Sequence, residues 1–384
     1  VEIAARHGEF NRLNTRKEKA AAIVGNQSLI AAATTSVSSE RSSLTFARTP
    51  IVETIPSFAE NPEIAGLVEQ WKDMVGEVYL ARYGLTYDEV LTHTDCDLTT
   101  PASAVQENNG LGTLVSDAFL WADRTLNAAY ADSPHTVSVT ADGVLRANLP
   151  AGDLTAAMAF DVLSMGVGED GTSGFPLVAV YLTGKELRTA AEIDASVSDF
   201  MTTARLYCSG LNFTYNPHRL LLNKVTDVYL VKDGQRVELQ DDKLYRIVAD
   251  LYSGQMLNAV TDMSYGILSI VPKYADSTPI EDFEDVILTE NGKELKGWDA
   301  IARYMASFED TDGDGIGNVP DYYSTLHDRK KVEDSRSLSA LLKNPNRFTF
   351  ILLGVILTVI LLVVCLVLLL RKLVRKLRRR KKAR

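Results

Sequence analysis

The apolar and polar positions predict three amphipathic helices, over residues 62–79, 109–130 and 296–308. In each stretch apolar side chains recur at intervals of three and four residues, so they fall on one face of an α-helix. The apolar face of the first helix consists of Ile64, Leu67, Val68, Trp71, Val75 and Val78.

Short apolar runs separated by turn residues predict β-strands in the middle of the chain. The runs are TVSVTAD (136–142), PLVAVYLTG (176–184), LNFTYNP (211–217), DVYLVKDGQ (227–235) and LYRIVADLY (244–252). Asp233-Gly234 stands where a tight hairpin needs its turn, and residues 185–195 predict a helix between two of the strands. The sequence therefore predicts a mixed α+β fold built on one sheet rather than an array of repeats.

The most apolar stretch lies close to the C-terminus. Residues 348–370 contain no charge and no proline, and about 20 apolar residues in a helix suffice to cross a bilayer. The next fourteen residues, RKLVRKLRRRKKAR, include ten Lys or Arg and no acid. Because basic flanks stay on the cytoplasmic side, we expect a single-pass cell-membrane protein with its N-terminal part extracytoplasmic. The tail at 371–384 is expected to contact anionic lipids.

Charge and cysteine content narrow the class of protein further. The net charge is −10 for the whole chain, but without the basic tail it is about −20. This acidity argues against nucleic acid as a partner. Three cysteines, one of them in the apolar stretch, exclude a scaffold built on disulfides. Whether Cys96 and Cys208 pair is left open by the sequence.

The composition divides the chain into five parts. Residues 1–48 lack a periodic pattern and are interpreted as a remnant or linker, and 49–325 are expected to form the folded domain. A polar stalk at 326–347 would connect it to the membrane helix at 348–370 and the basic tail at 371–384. The chain starts at Val1 without an export signal, although this topology needs one, so we expect a preceding segment.

Motifs alone predict no catalytic centre. The five histidines stand apart from one another, and the chain contains no Gly-x-Ser-x-Gly elbow, P-loop or Cys-x-x-Cys pair.

One acidic loop has the spacing of a calcium site. Oxygen ligands at loop positions 1, 3, 5, 9 and 12, a glycine at position 6 and a backbone carbonyl at position 7 are typical of such loops. The corresponding residues are Asp310, Asp312, Asp314, Asn318 and Asp321, with Gly315 at the turn and the carbonyl of Ile316. Asp321 departs from the usual glutamate and is shorter. We expect calcium here to brace the link to the stalk, and the alternative is a solvated Asp/Gly turn.

Several longer motifs resemble the C-terminal domain of 5'-nucleotidases. They include NNGLGTLVSDAFLWA (108–122), ADGVLRANLPAGDLTAAMAFDVLSMG (141–166), VYLTGKELRTAAE (180–192), YCSGLNFTYNP (207–217) and YRIVADLYSGQML (245–257). These motifs follow in the order of that family, and the likeness covers roughly residues 50–325. The resemblance implies a domain that recognises the base and sugar of nucleotides. It also implies an additional N-terminal metallophosphatase domain with two divalent metals, which these residues do not contain.

The resemblance also implies a set of substrate-binding residues. Arg146 matches an arginine that would face the phosphate or ribose, whereas Gly143 and Gly210 match glycines of two loops near the substrate. Met165 stands where the family has a base-stacking phenylalanine, and Tyr252 is the aromatic residue left in a second stacking loop.

Two functions follow as hypotheses. The first is a membrane-anchored nucleotide hydrolase of the 5'-nucleotidase/2',3'-cyclic phosphodiesterase type, with this chain supplying the substrate-binding domain and the anchor. The second is a non-enzymatic surface module that kept the fold and lost the site.

Overall fold

The computed structural model describes residues 61–100, 110–126, 136–232, 234–263, 269–325 and 329–382. The predicted remnant at 1–48 lies outside them. The α-helices in this part of the chain are α1 (Pro62–Val78), α2 (Gly110–Leu126), α3 (Ala156–Val162), α4 (Gly184–Val197), α5 (Leu251–Met263), α6 (Gly297–Ala306), α7 (Leu338–Leu341) and α8 (Arg347–Lys382). The strands are β1 (Val90–Thr94), β2 (Thr136–Ala141), β3 (Gly152–Thr155), β4 (Leu177–Thr183), β5 (Leu206–Ser209), β6 (Leu211–Tyr215), β7 (Val225–Lys232), β8 (Gln235–Glu238), β9 (Leu244–Asp250), β10 (Thr289–Glu290), β11 (Lys293–Glu294) and β12 (Lys330–Val332).

The mixed α+β class is confirmed, but the prediction of one sheet is wrong. One four-stranded sheet has the order β4-β9-β2-β5 and a second has the order β12-β6-β7-β8, in addition to two-stranded pairs. The chain passes from the first sheet to the second at Gly210, which separates β5 from β6. Its φ of 81° lies in the left-handed region that glycine adopts without strain. A single residue thus separates two consecutive strands that belong to different sheets.

Two apolar cores follow from this division. The first lies among α2, α3 and α6 and contains Phe119 and Trp298, both fully buried. The second lies against β4, β6 and β9 and contains Val180, Phe213 and Ile247. The hairpin predicted at 233–234 is confirmed, because β7 and β8 pair antiparallel with Lys232 opposite Gln235.

Helix α1 forms where the periodicity predicts it, but its apolar face remains open. No residue of α1 is buried, and Trp71 is 64% exposed. A lysine on the polar face, Lys72, contacts Asp88 at 3.3 Å and so joins the helix to the following loop.

The segment predicted as a stalk packs on the domain over much of its described length. Strand β12 pairs in parallel with β6. Just before it, the Arg329 guanidinium donates to both carboxylate oxygens of Asp117 on α2, at 2.8 and 2.9 Å. Helix α8 follows, and its part from Arg347 to Lys372 is the one helix of the described chain long and apolar enough to cross a membrane.

Candidate functional site

Arg146 lies in the loop that follows β2, with its backbone fixed and its side chain exposed. Its amide donates to the carbonyl of Val162 at the end of α3, at 2.9 Å. Its guanidinium makes a long contact of 3.3 Å with the carbonyl of Gly143. An exposed guanidinium on an anchored loop has most of its donors available to an anionic ligand.

The start of this loop is held close to a neighbouring one. A Cβ on Gly143 would meet the carbonyl oxygen of Thr203 at 3.0 Å, so only glycine fits without a shift. Beside it, the hydroxyl of Tyr207 donates to Asp142 at 2.6 Å. Burial and the adjacent Asp142 carboxylate raise the pKa of Tyr207, so the phenol stays protonated and keeps donating.

Met165 and Phe175 face each other across a glycine-rich loop. The amide of Phe175 donates to the carbonyl of Met165, and that of Gly174 to Gly166, each at 2.9 Å. Gly166 and Gly174 have φ of 84° and 93°, which allows the loop to fold back on itself. The ring of Phe175 lies where a side chain on Gly166 would be, with ring carbons 2.3 Å from a built Cβ.

The ring of Phe175 stacks on Tyr252, with centroids 5.8 Å apart and an interplanar angle of 29°. Tyr252 occupies the first turn of α5, and Asp250 caps that helix by accepting from the Ser253 amide at 2.8 Å. Rings at this distance contact each other directly, so no base fits between them. A planar ligand can instead stack on the outer side of Tyr252, which is 40% exposed, next to Met165, which is 39% exposed.

Phe175 is the residue that sequence reasoning missed. Residues 166–174 (GVGEDGTSG) begin and end with glycine, and Phe175 follows directly. Four glycines in nine residues are typical of a loop, and this was the signal that marked the segment before Phe175.

Contacts from Lys296 and Tyr79 clamp the glycine-rich loop. The Lys296 ammonium, whose side chain is fully buried, lies 2.8 Å from Asp170 in the loop and 2.5 Å from Glu294. The hydroxyl of Tyr79 donates to the carbonyl of Ser173 at 2.7 Å. These contacts hold Phe175 and its neighbours in one arrangement.

Gly210 lies at the other end of β2 from Gly143. It faces the beginning of that strand, where a Cβ would meet the carbonyl oxygen of Thr136 at 2.9 Å. Glycine is favoured at this position because the chain changes from one sheet to the other here with a positive φ. The structure thus brings together the loops of Arg146, Met165 and Tyr252, while Gly210 shapes the sheet behind them.

The acidic loop brings three of its six residues into one cluster. Carboxylate oxygens of Asp310, Asp312 and Asp314 lie within 4.8 Å of one another, and all three side chains are exposed. Hydrogen bonds from the amides of Gly313 and Gly315 to Asp310, at 2.6 and 2.9 Å, lower the pKa of this carboxyl. Carboxylates so arranged suit a hard cation such as calcium.

Asn318 and Asp321 lie at the edge of this cluster. The side-chain oxygen of Asn318 accepts from the amide and the hydroxyl of Thr311, at 2.7 and 2.8 Å, and its side-chain amide makes a long contact of 3.5 Å with Asp312. Asp321 begins a single 3-10 turn. The loop is also tied to β1, since the amide of His93 donates to the carbonyl of Gly317 at 2.8 Å. Within the described residues, no other group of three or more His, Cys, Asp or Glu side chains lies close enough to share a metal.

The same region of the chain matches a known family. Residues 89–259 match the family model of the 5'-nucleotidase, C-terminal domain, which confirms the resemblance seen in the motifs. The match supports a substrate-binding domain of the nucleotidase type in this part of the chain. No curated protein matches the sequence.

Solved structures of similar fold include nucleotidases. A 5'-nucleotidase precursor from Thermus thermophilus is 20% identical, with a TM-score of 0.47 over 71% of this chain and 43% of that chain. The NAD nucleotidase of Haemophilus influenzae is 11% identical, with a TM-score of 0.46 over 72% of this chain and 42% of that chain. The chain therefore spans less than half the length of either structure.

Proposed function

We propose that the chain is the substrate-binding domain and membrane anchor of an extracytoplasmic nucleotide hydrolase of the 5'-nucleotidase/2',3'-cyclic phosphodiesterase type. The observation that carries this proposal is the family match at 89–259, the stretch that contains Arg146, Met165, Phe175 and Tyr252.

The geometry supports separate binding of the two ends of a nucleotide, with the phosphate bound by charge and the base by stacking. The planar guanidinium of Arg146 can donate paired hydrogen bonds to a phosphate. The base would lie on the outer side of Tyr252, with Phe175 behind that ring and the thioether of Met165 along its edge. Because the loops are already fixed by Lys296 and Asp250, little ordering is required on binding.

The resemblance implies that hydrolysis of the phosphate ester takes place at a dinuclear metal centre. The acidic cluster at Asp310, Asp312 and Asp314 is exposed, and no histidine of the described chain belongs to it. These residues do not fit a dinuclear hydrolytic centre. We therefore assign the two divalent metals of the hydrolase to a separate metallophosphatase domain.

We expect the full-length protein to bind AMP, and Arg146→Ala and Tyr252→Ala to weaken binding in different ways. Loss of a charged hydrogen bond should cost about 1.5–3 kcal/mol for AMP and almost nothing for adenosine, which carries no phosphate. Loss of the stacking ring should cost about 1–3 kcal/mol for both ligands. Isothermal titration calorimetry measures all four combinations.

Two matched variants complete that measurement. Arg124→Ala removes an exposed arginine on α2 and should leave AMP binding unchanged, whereas Tyr252→Phe keeps the ring and should retain binding. If the wild-type protein binds neither ligand, the non-enzymatic surface module becomes the better description.

We also propose that the acidic loop binds calcium through Asp310, Asp312 and Asp314 with the Ile316 carbonyl. Calcium at about one hundred times its dissociation constant should then stabilise the fold by about 2.7 kcal/mol, visible as a rise in melting temperature that EDTA reverses. Asp312→Asn should abolish most of this rise. Asp276→Asn, an exposed aspartate in another turn, should not, and an equal rise in all three proteins would contradict the site.

Finally, we propose that α8 crosses the cell membrane with its basic end in the cytoplasm and the domain outside. The ten cationic residues of 371–384 support this orientation. In a Cys96→Ser background, a membrane-impermeant maleimide added to intact cells should label Asp95→Cys, whose side chain is fully exposed, but not Arg384→Cys. The opposite labelling would contradict the orientation.

A further inference from the structure

Exposed apolar side chains lie on three separate segments that polar contacts link to one another and to the start of α8. Two come from the loop after α4, one from the loop between β6 and β7, and two from α7 or its end. They are Phe200 (81% exposed), Met201 (49%), Leu221 (48%), Leu338 (76%) and Leu342 (56%). A monomeric water-soluble surface rarely gathers apolar side chains in this way.

Hydrogen bonds join the first two segments. The amide of Leu222 donates to the Ser196 hydroxyl at 3.0 Å. The ammonium of Lys224 lies 2.5 Å from the carboxylate of Asp199. The loops that carry Phe200 and Leu221 are therefore adjacent.

Arg219 joins the second segment to the third. It is almost fully buried, and its guanidinium donates to three carbonyls, those of Asn223, Ala340 and Lys343, at 2.5, 2.8 and 2.5 Å. Leu338 and Leu342 are thus held next to the loop of Leu221.

Asn346 fixes α8 to the same place. Its side-chain amide donates to the carbonyl of Leu222 at 2.6 Å, and its oxygen accepts from the amide of Thr349 at 3.0 Å, which caps the helix. Phe348 packs against the second core, and Thr349 is 1% exposed. The apolar helix consequently leaves the domain from within the cluster, without a free spacer.

We propose a docking face that inserts into the bilayer interface on the same side of the membrane as the domain. Its residues are Phe200, Met201, Leu221, Leu338 and Leu342. This proposal rests on the proposed function, since it requires α8 to span a membrane. Because the exposed apolar part of α8 begins at Phe350, one turn after the cap, exposed side chains on the segments linked to that cap are held near the level of the lipid headgroups.

The charges beside the face fit the same partner. Lys343 and Arg347 are exposed and can reach lipid phosphates, as basic residues near a membrane span do. The guanidinium of Arg347 lies 4.7 Å from the ring centroid of Phe348. Apolar and aromatic side chains combined with cations at the end of a span are typical of an interfacial anchor.

Electron paramagnetic resonance on spin-labelled full-length protein tests the docking face. Single cysteines at Phe200→Cys, Leu338→Cys, Val359→Cys and Asp95→Cys are introduced with Cys96→Ser and Cys365→Ala, and Cys208 is buried. In vesicles of phosphatidylcholine and phosphatidylglycerol, accessibility to oxygen reports lipid and accessibility to a nickel chelate reports water. We expect the oxygen-to-nickel ratio at 200 and 338 to be several-fold higher than at 95 and to approach that at 359.

The four positions separate the possible results. A lipid-like ratio at 359 with water-like ratios at 200 and 338 would overturn the docking face and leave the membrane span intact. A water-like ratio at 359 would overturn the span as well. Spin–spin broadening at 200 and 338, with low access to both reagents, would show that a second copy covers the face and would also overturn the proposal. A Phe200→Glu and Leu338→Glu double variant labelled at Leu221→Cys should lose the lipid-like ratio.

Discussion

Arg329→Ala is expected to lower the free energy of unfolding by about 3–5 kcal/mol, because it leaves a largely buried charge without its partner. The Arg329 and Asp117 side chains are 16% and 15% exposed. The guanidinium also donates to the carbonyl of Cys208 at 3.2 Å and to the hydroxyl of Tyr322 at 2.9 Å. Its removal therefore detaches the chain before β12 from α2.

A matched exposed pair provides the control. Arg236 donates to both carboxylate oxygens of Asp227, at 2.7 and 3.0 Å, yet its side chain is 46% exposed. Arg236→Ala should cost only about 0.2–1 kcal/mol. Urea unfolding of the full-length proteins in nanodiscs, followed by tryptophan fluorescence, to which buried Trp298 contributes, gives both values. Equal losses would show that burial does not decide the strength of the Arg329 pair.

Lys296→Ala should be comparably destabilising, by about 3–5 kcal/mol, because two carboxylates share its buried ammonium. The same substitution releases the loop that positions Phe175, so AMP binding should weaken as well. Lys293→Ala is the control, since this exposed lysine of β11 makes only a 3.4 Å contact with the carbonyl of Arg82. If Lys296→Ala unfolded no more readily than Lys293→Ala, the loop would not depend on this clamp.

The effect of Lys296→Ala should also depend on pH. Burial raises the pKa of Asp170, but the hydrogen bonds from Lys296 and Thr172 outweigh it and lower the pKa below its ordinary value of 3.8. A carboxyl with a lowered pKa stabilises the fold above its unfolded-state pKa and loses this contribution as the pH falls through the folded one. The difference between wild type and variant should therefore be largest at neutral pH and shrink below about pH 4.

Local pattern was sufficient for helices α1, α2, α4, α6 and α8 and for strands β2, β4, β6, β7 and β9, because each of these depends on apolar side chains a few residues apart. It failed at Gly210, where the backbone conformation of one residue sends β5 and β6 into different sheets. It also failed at Phe175, which reaches Tyr252 only because a loop returns and α5 begins beside it. Neither the backbone conformation of Gly210 nor the contact of Phe175 with Tyr252 produces a periodic pattern of apolar residues in the sequence.

The segment that leads into α8 shows the same limit at longer range. Its polar composition suggested a stalk, yet Arg219 and Asn346 connect it to residues more than a hundred positions apart in the chain. Such contacts depend on the assembled fold and on which carbonyls a buried guanidinium can reach. The candidate calcium loop was predicted in part. The spacing of its residues predicted that three aspartates lie together, but it did not predict the orientation of the Asn318 side chain.

The parallel pairing of β12 with β6 also determines how the domain resists mechanical force. A pull on α8 reaches the domain first through Asn346 and Arg219 and then through β12. The amide of Phe213 donates to the carbonyl of Arg329, and that of Glu333 to Tyr215, at 2.9 and 2.8 Å. Under a pull along the strand these hydrogen bonds are loaded together in shear rather than opened one after another, so the end of the domain next to α8 is also its reinforced end.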